Sequence, residues 1–280
     1  MSEERAAPAQ PGGDSRNLLA RIAAAAVLAP AAIGAAYAGG LLWTALVTLG
    51  AVGLYVEWLM VAGAAREKRV VASGVAALAV AGLCLGLLRI DAAILVLLLG
   101  IAAVGALSAE RRWTTAGFLY AAAALLASVL VRLDRFEGLV ALILVLLVVW
   151  ATDIAGYFAG RGIGGPKLWP RVSPKKTWAG AIGGFVASLL VAAGFAALGL
   201  GRILPMLVLA GCLSIASQLG DLLESAVKRH FGVKDSSHII PGHGGLMDRL
   251  DGYVAAIVVA AIFGVLRGGV DGVGRALMVW

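Results

Sequence analysis

Nine apolar runs, each near the length that a helix needs to cross a bilayer, constrain this chain more than any other feature. They lie near residues 18–38, 41–62, 70–88, 92–108, 114–131, 138–160, 179–200, 203–227 and 251–267, against about 20 residues for a spanning helix. A soluble core cannot hide so many. With 61% hydrophobic and 14% charged residues, the chain lacks the polar surface that a soluble domain of its length carries. Lipid offers backbone groups no water, so the runs must satisfy their own hydrogen bonds as helices. The expected fold is all-α: a polytopic integral membrane protein of about nine transmembrane helices, one domain over 18–267. Residues 1–17, with Pro8, Pro11, Gly12 and Gly13 and no apolar periodicity, read as a mobile tail, and 268–280 as a C-terminal tail. Ala36-Tyr37-Ala38 resembles a signal-peptidase site, and cleavage there would leave the later topology unchanged. Cys84 and Cys212 both sit inside apolar runs and read as packing residues.

Charge orients the spans. The chain carries 23 Lys and Arg against 16 Asp and Glu, a net +7, which in a soluble protein would raise nucleic acid as a partner. Here the distribution matters more. With a cytoplasmic N-terminus, nine spans place seventeen of the 23 basic residues on the inner side and six on the outer, as the positive-inside rule expects. The two longest polar segments, about 161–178 and 228–250, then face the cytosol together, in a membrane whose anionic lipids basic residues attract. No nucleic-acid partner is expected.

Chemistry concentrates in and after the eighth run. Ser214, Ser217, Gln218, Asp221, Ser225 and Lys228 recur at steps of three or four and form a polar stripe on an apolar helix. A charge at the centre of a membrane helix costs about 2.5–3.5 kcal/mol and normally meets a partner or a wet cavity. The plainer reading pairs Glu224 with Lys228 and lets Asp221 reach the interface. The following stretch, Ser225 to Asp251, holds three acids (Asp235, Asp248, Asp251), four bases (Lys228, Arg229, Lys234, Arg249) and the glycines Gly242, Gly244 and Gly245 in 27 residues. Carboxylates suit Mg²⁺, Lys and Arg suit phosphate oxygens, and a glycine cluster leading into a helix N-terminus suits an anion. Each alone has a modest alternative: Gly244-Gly245 as a turn, His243 as a hydrogen-bonded loop residue, Asp248 and Asp251 as acids at a helix start, and Lys175 with Lys176 as membrane anchors. Together they are the parts of a phosphoryl or nucleotidyl transfer site.

The 225–251 stretch resembles the signature of the phosphatidate cytidylyltransferase (CDP-diacylglycerol synthase) family. It has the Ser-x-x-Lys-Arg start, the Lys-Asp centre and the His-Gly-Gly-x-x-Asp-Arg-x-Asp end, with no departure at any signature position. Asp153-Ile-Ala-Gly-Tyr157-Phe-Ala-Gly160-Arg161 and Ser173-Pro174-Lys175-Lys176-Thr177-Trp178-Ala-Gly180 resemble other recurrent stretches of the family. The likeness covers roughly 150–266, and residues 1–149 share only a run of spans.

The resemblance implies a nucleotidyltransferase of phospholipid biosynthesis that joins CTP and phosphatidic acid into CDP-diacylglycerol and pyrophosphate. Taken with the chemistry, it assigns catalytic roles to Asp221, Ser225, Lys228, Arg229, His243, Asp248 and Asp251. Substrate binding falls to Asp153, Lys175, Lys176, Lys234, Gly244, Gly245 and Arg249, and Mg²⁺ or another divalent cation to Asp221 and Asp248. The expected location is a bacterial plasma membrane, with the site facing the cytoplasm amid membrane lipids. A monovalent cation beside the divalent one, and a homodimer, stay open. The rivals are a transporter, which would place polar groups near the bilayer midplane, and another lipid-headgroup phosphotransferase using the same metal logic.

Overall fold

The computed structural model describes residues 30–237 and 244–280. Among them, eight helices are long and apolar enough to cross a membrane: α1 (Gly40–Val61), α2 (Lys68–Gly86), α3 (Ile90–Leu107), α4 (Arg111–Arg132), α5 (Glu137–Gly162), α6 (Trp178–Ala197), α7 (Ile203–His230) and α8 (Met247–Gly268). They match the second to ninth runs. Of the first run, 18–38, only residues 30–38 are described, and they are helical. After α8 the chain turns at Gly269 into a short helix, α9 (Val273–Met278), with Val273, Leu277 and Met278 buried. The residues read as a tail are thus part of the packed body. One element departs from pure helix: β1 (Lys167–Trp169) and β2 (Ser173–Thr177) pair antiparallel, Lys167 opposite Thr177 and Trp169 opposite Ser173. Pro166, Pro170 and Pro174 explain why this connection is not helical, since proline removes a backbone donor and disfavours helix just before it.

Short connections between successive spans fix two faces. The connections after α1, α3, α5 and α7 share one face; those after α2, α4, α6 and α8 share the other. Contacts across each face agree: Ala109 N–H donates to Glu67 Oε2 at 3.2 Å, Trp113 stacks on His230 with ring centres 4.6 Å apart, and on the opposite face Arg275 N–H donates to Asp134 Oδ2 at 2.9 Å. Arg89, Arg132, Arg135, Arg202, Arg267 and Arg275 belong to the second face, and every other described Lys and Arg to the first. Among the described residues the two faces therefore hold fourteen and six basic residues.

The apolar core comes in two clusters, one around α1–α4 and one joining α4–α9. What positions the site is the close packing of α7 on α8. A Cβ at Gly220 would stand 2.6 Å from the Asp251 carbonyl oxygen, and one at Gly252 would run into Ser217 Oγ. Two glycines let the helix backbones approach as small residues do in lipid, which sets the last turns of α7 beside the first turns of α8. With a rise of 1.5 Å per residue, Asp221 stands about 27 Å along α7 from Ile203, close to the far edge of a core of ~30 Å.

Candidate active site

Two polar centres form where α7 ends and α8 begins. The first holds the connection between them. Glu57, on α1, is fully buried; its carboxylate accepts hydrogen bonds from Ser237 Oγ (2.6 Å), Ser236 Oγ (3.2 Å), Leu246 N–H (2.7 Å) and Met247 N–H (2.7 Å). The last two are helix-start donors that have no partner within the helix, and a carboxylate there also meets the positive end of the dipole. Asp248 is the second residue of α8. Its Oδ2 accepts from Ser236 N–H and Gly245 N–H, both at 3.1 Å, and its Oδ1 from Lys228 Nζ at 2.6 Å. Lys228 also pairs with Glu224 Oε2 at 2.8 Å. Thus α1, α7 and α8 are tied through one buried ionic network around the loop.

Gly245 is the tightest point of that network. A Cβ there would overlap Ser236 Oγ and come within 2.8 Å of Glu57 Oε2. Gly245→Ala is expected to push the loop off Glu57 at a cost of about 1–3 kcal/mol, the usual range for overpacking, with a matching fall in thermal stability. An unchanged melting temperature in detergent would show that the loop is looser than this packing implies.

The second centre lines a pocket. Asp221 forms an ion pair with Lys176 of β2, and Asp153 near the end of α5 and Asp251 on α8 lie close enough to interact electrostatically with both Asp221 and Lys176. Three acids from three helices therefore surround one lysine. The adjoining cavity, about 650 Å³, is lined by Asp153, Arg161, Lys167, Lys175, Lys176, Gln218 and Asp221, with Gly156, Gly160 and Gly180 in its wall. Ligand pockets commonly span about 300–1,000 Å³, so its size suits a nucleotide. The polar stripe on α7 continues below: Thr152 Oγ1 donates to Ser214 Oγ at 2.9 Å, and the Gln218 amide donates to the Ala181 carbonyl at 3.3 Å.

The expected site residues divide between these centres. Asp153, Lys175, Lys176 and Asp221 meet at the cavity, with Asp251 beside them. Lys228, Gly244, Gly245 and Asp248 belong to the loop network, where Gly244 takes φ +83°. Ser225 is half-buried on α7, and Lys234 and Arg249 are exposed. Arg229 Nη1 donates to the Val233 carbonyl at 3.3 Å, closing the turn after α7. His243 and Gly242 lie outside the described residues. Of the two acids expected to share a metal ion, Asp221 pairs with Lys176 and Asp248 with Lys228. Among the described residues, no group of three or more His, Cys, Asp or Glu side chains is gathered tightly enough to hold a metal ion unaided. The Glu224–Lys228 pair does form, and Lys228 bridges it to Asp248.

Glu57 was not among the candidates, although a signal existed. It is the lone charged residue of the 41–62 run, and an intramembrane acid marks a partner by default. Its partners lie 179 to 190 residues away, beyond any local pattern. Lys167 and Arg161 also enter the cavity lining without having been singled out.

The model of the cytidylyltransferase family matches residues 19–266. The chain is 42% identical over 257 residues to the phosphatidate cytidylyltransferase of Brucella suis biovar 1 (strain 1330), covering 89% of this chain and 94% of that protein. It is 50% identical over 123 residues to the phosphatidate cytidylyltransferase of Staphylococcus haemolyticus (strain JCSC1435), covering 43% of this chain and 47% of that one. The protein of the same name from Bacillus subtilis (strain 168) is 44% identical over 125 residues, covering 44% and 46%. The chain belongs to the cytidylyltransferase family and is a nucleotidyltransferase built on membrane-spanning helices.

Proposed function

We propose that this protein is a phosphatidate cytidylyltransferase, with the cavity between α5, the β1–β2 hairpin, α6 and α7 as its nucleotide site. The observation that carries the reading is the cavity itself: Arg161, Lys167, Lys175 and Lys176 face a volume of about 650 Å³ whose wall also holds Asp153 and Asp221. Cations there match a triphosphate, and acids match the counter-cation that a nucleotide brings.

In the reaction, a phosphate oxygen of phosphatidic acid attacks the α-phosphorus of CTP. The bond from that phosphorus to the oxygen bridging the β-phosphate breaks, and its electron pair leaves on pyrophosphate. The nucleophile is already ionised at neutral pH, so no strong base is required. Catalysis rests on alignment and charge neutralisation. Lys175, Lys176, Lys167 and Arg161 would hold phosphate oxygens, and the Gln218 side chain would orient polar groups at the cavity wall. Lys228, Asp248 and Glu57 would hold the described ends of the α7–α8 connection, with Gly244, in place.

The carboxylates of Asp221, Asp153 and Asp251 fit Mg²⁺, which usually takes one or two carboxylates and completes its shell with substrate phosphates and water. Asp221 would be the principal ligand, with Asp153 or Asp251 beside it. When bound, such an ion supplies neutralisation of the triphosphate charge. Asp248 fits less well, since both its oxygens are engaged by Lys228, Ser236 and Gly245; we assign it to holding the loop. The basic face supports a cytosolic orientation, and the bacterial relatives support a plasma membrane.

The deciding assay supplies purified protein in detergent with CTP, phosphatidic acid and Mg²⁺ and measures pyrophosphate. Release that requires both substrates is expected; none, or release without the lipid, would overturn the assignment. Replacing Lys175 and Lys176 together by Ala is expected to lower kcat/KM at least ~10-fold, since two phosphate partners are lost. Unaltered kinetics would return both lysines to a role as membrane anchors.

A further inference from the structure

Between Asp153 and Asp221 the chain has no acidic residue, yet 161–176 holds Arg161, Lys167, Arg171, Lys175 and Lys176. Lys176 is neutralised by Asp221. The other four are exposed and form a basic surface on the β1–β2 hairpin and its root: Arg161, Lys167 and Lys175 line the cavity, and Arg171 stands outside it.

Two further observations place that surface at the lipid headgroups. The hairpin leaves α5 at Gly162 and enters α6 at Trp178. Since α5 has 26 residues, it is about 39 Å long against a hydrocarbon core of ~30 Å, so its last turns and the hairpin emerge into the interfacial layer. There the chain exposes large apolar groups: Phe158 67%, Ile163 76%, Trp169 50% and Trp178 53%. Tryptophans at this depth form the aromatic belt of membrane proteins, and basic residues beside them attract anionic lipid. Leu168 faces the cavity, whereas Trp169 and Arg171, at the hairpin tip, lie outside its lining.

We propose that the hairpin is a headgroup-docking element: Trp169 and Trp178 seat it in the leaflet, and Arg171 captures the phosphate of an anionic phospholipid at the mouth of the cavity. It gives the lipid substrate an entry point, and it rests on the cytidylyltransferase reading for which anionic lipid is consumed. Charge complementarity selects the occupant, because Arg171 stands outside the cavity lining in a stretch, 154–220, that has no acidic residue, which suits an anionic headgroup.

Two measurements on the full-length protein in vesicles test this. In the first, Cys84 and Cys212 are replaced by Ala, Pro170 by Cys, and the new thiol carries a bimane fluorophore. Strong quenching by lipids brominated near the top of their acyl chains is expected. An unquenched probe overturns the proposal, whether the hairpin then lies in water or against a second copy of the chain. In the second, Arg171→Gln is expected to raise the apparent KM for phosphatidic acid, as mole fraction in phosphatidylcholine vesicles, about five-fold. That is the equivalent of the ~1 kcal/mol that one basic residue gains near an anionic surface, and the KM for CTP should not move. Equal change in both constants, or in neither, overturns it. If the unmodified protein makes no product at all, the enzymatic reading falls, while the quenching result still decides the hairpin.

Discussion

An Asp221→Asn variant is expected to lose pyrophosphate release by on the order of 10²–10³-fold, the range seen when one preorganised electrostatic group is removed from an active site. Asparagine keeps the size of the side chain and removes its charge. What changes is the electrostatics of the cavity: Lys176 loses its ion-pair partner, and the acids left near it are Asp153 and Asp251. The fold should survive, because the Asp221 side chain is 33% exposed and no helix-start donor depends on it. Asp248→Asn makes the informative contrast. Its two oxygens hold Lys228 and two backbone N–H groups; the pair is partly buried and Lys228 keeps Glu224, so a loss of about 1–3 kcal/mol is expected. Thermal unfolding should therefore separate the two variants, with Asp221→Asn near the parent and Asp248→Asn clearly lower. Parent-like turnover in Asp221→Asn would remove this acid from the mechanism, and equal melting temperatures would remove the distinction between the two centres.

Glu57→Leu is expected to be the most damaging single change outside the cavity. Four donors converge on this carboxylate: two serine hydroxyls and two backbone N–H groups at the start of α8. Leucine fills the volume and accepts nothing. Each buried donor left without an acceptor costs about 1–3 kcal/mol, so a loss of at least ~3 kcal/mol is expected, along with activity. Glu57→Gln is gentler and more diagnostic. The one remaining oxygen accepts from one pair of donors, Ser237 with Leu246 or Ser236 with Met247, and the new NH2 group meets the other. A smaller fall in stability, with activity still reduced, would mark Glu57 as a positioning residue acting through the loop. Parent-like stability and turnover in Glu57→Leu would show that the loop is held by other contacts.

The eight described spans were legible because hydropathy is additive along the chain and each helix in lipid satisfies its own backbone. The hairpin was not, since a charged stretch rich in Pro and Gly between spans looks the same whether it is irregular or paired. Asp221 was legible as a costly acid on an apolar helix. Its partner was not, because Lys176 is an ordinary interfacial lysine until β2 carries it to the end of α7. Pairing Asp221 with Asp248 was reasonable on spacing alone, as both flank one loop. In the structure each acid has its own partners: Lys228 and the Ser236 and Gly245 N–H groups take the Asp248 oxygens, and Lys176 pairs with Asp221.

By itself, the sequence determined that this chain lives in a bilayer, how its basic residues divide between two faces, and where its polar chemistry gathers. Those properties depend on composition and period within a single helix. Only the tertiary structure decided which acids meet, that Glu57 anchors a loop some 180 residues away, and that Asp153 joins Asp221 and Asp251. Such meetings follow from which helices lie side by side and how closely their glycines let them approach, and no periodicity within one helix encodes its neighbour.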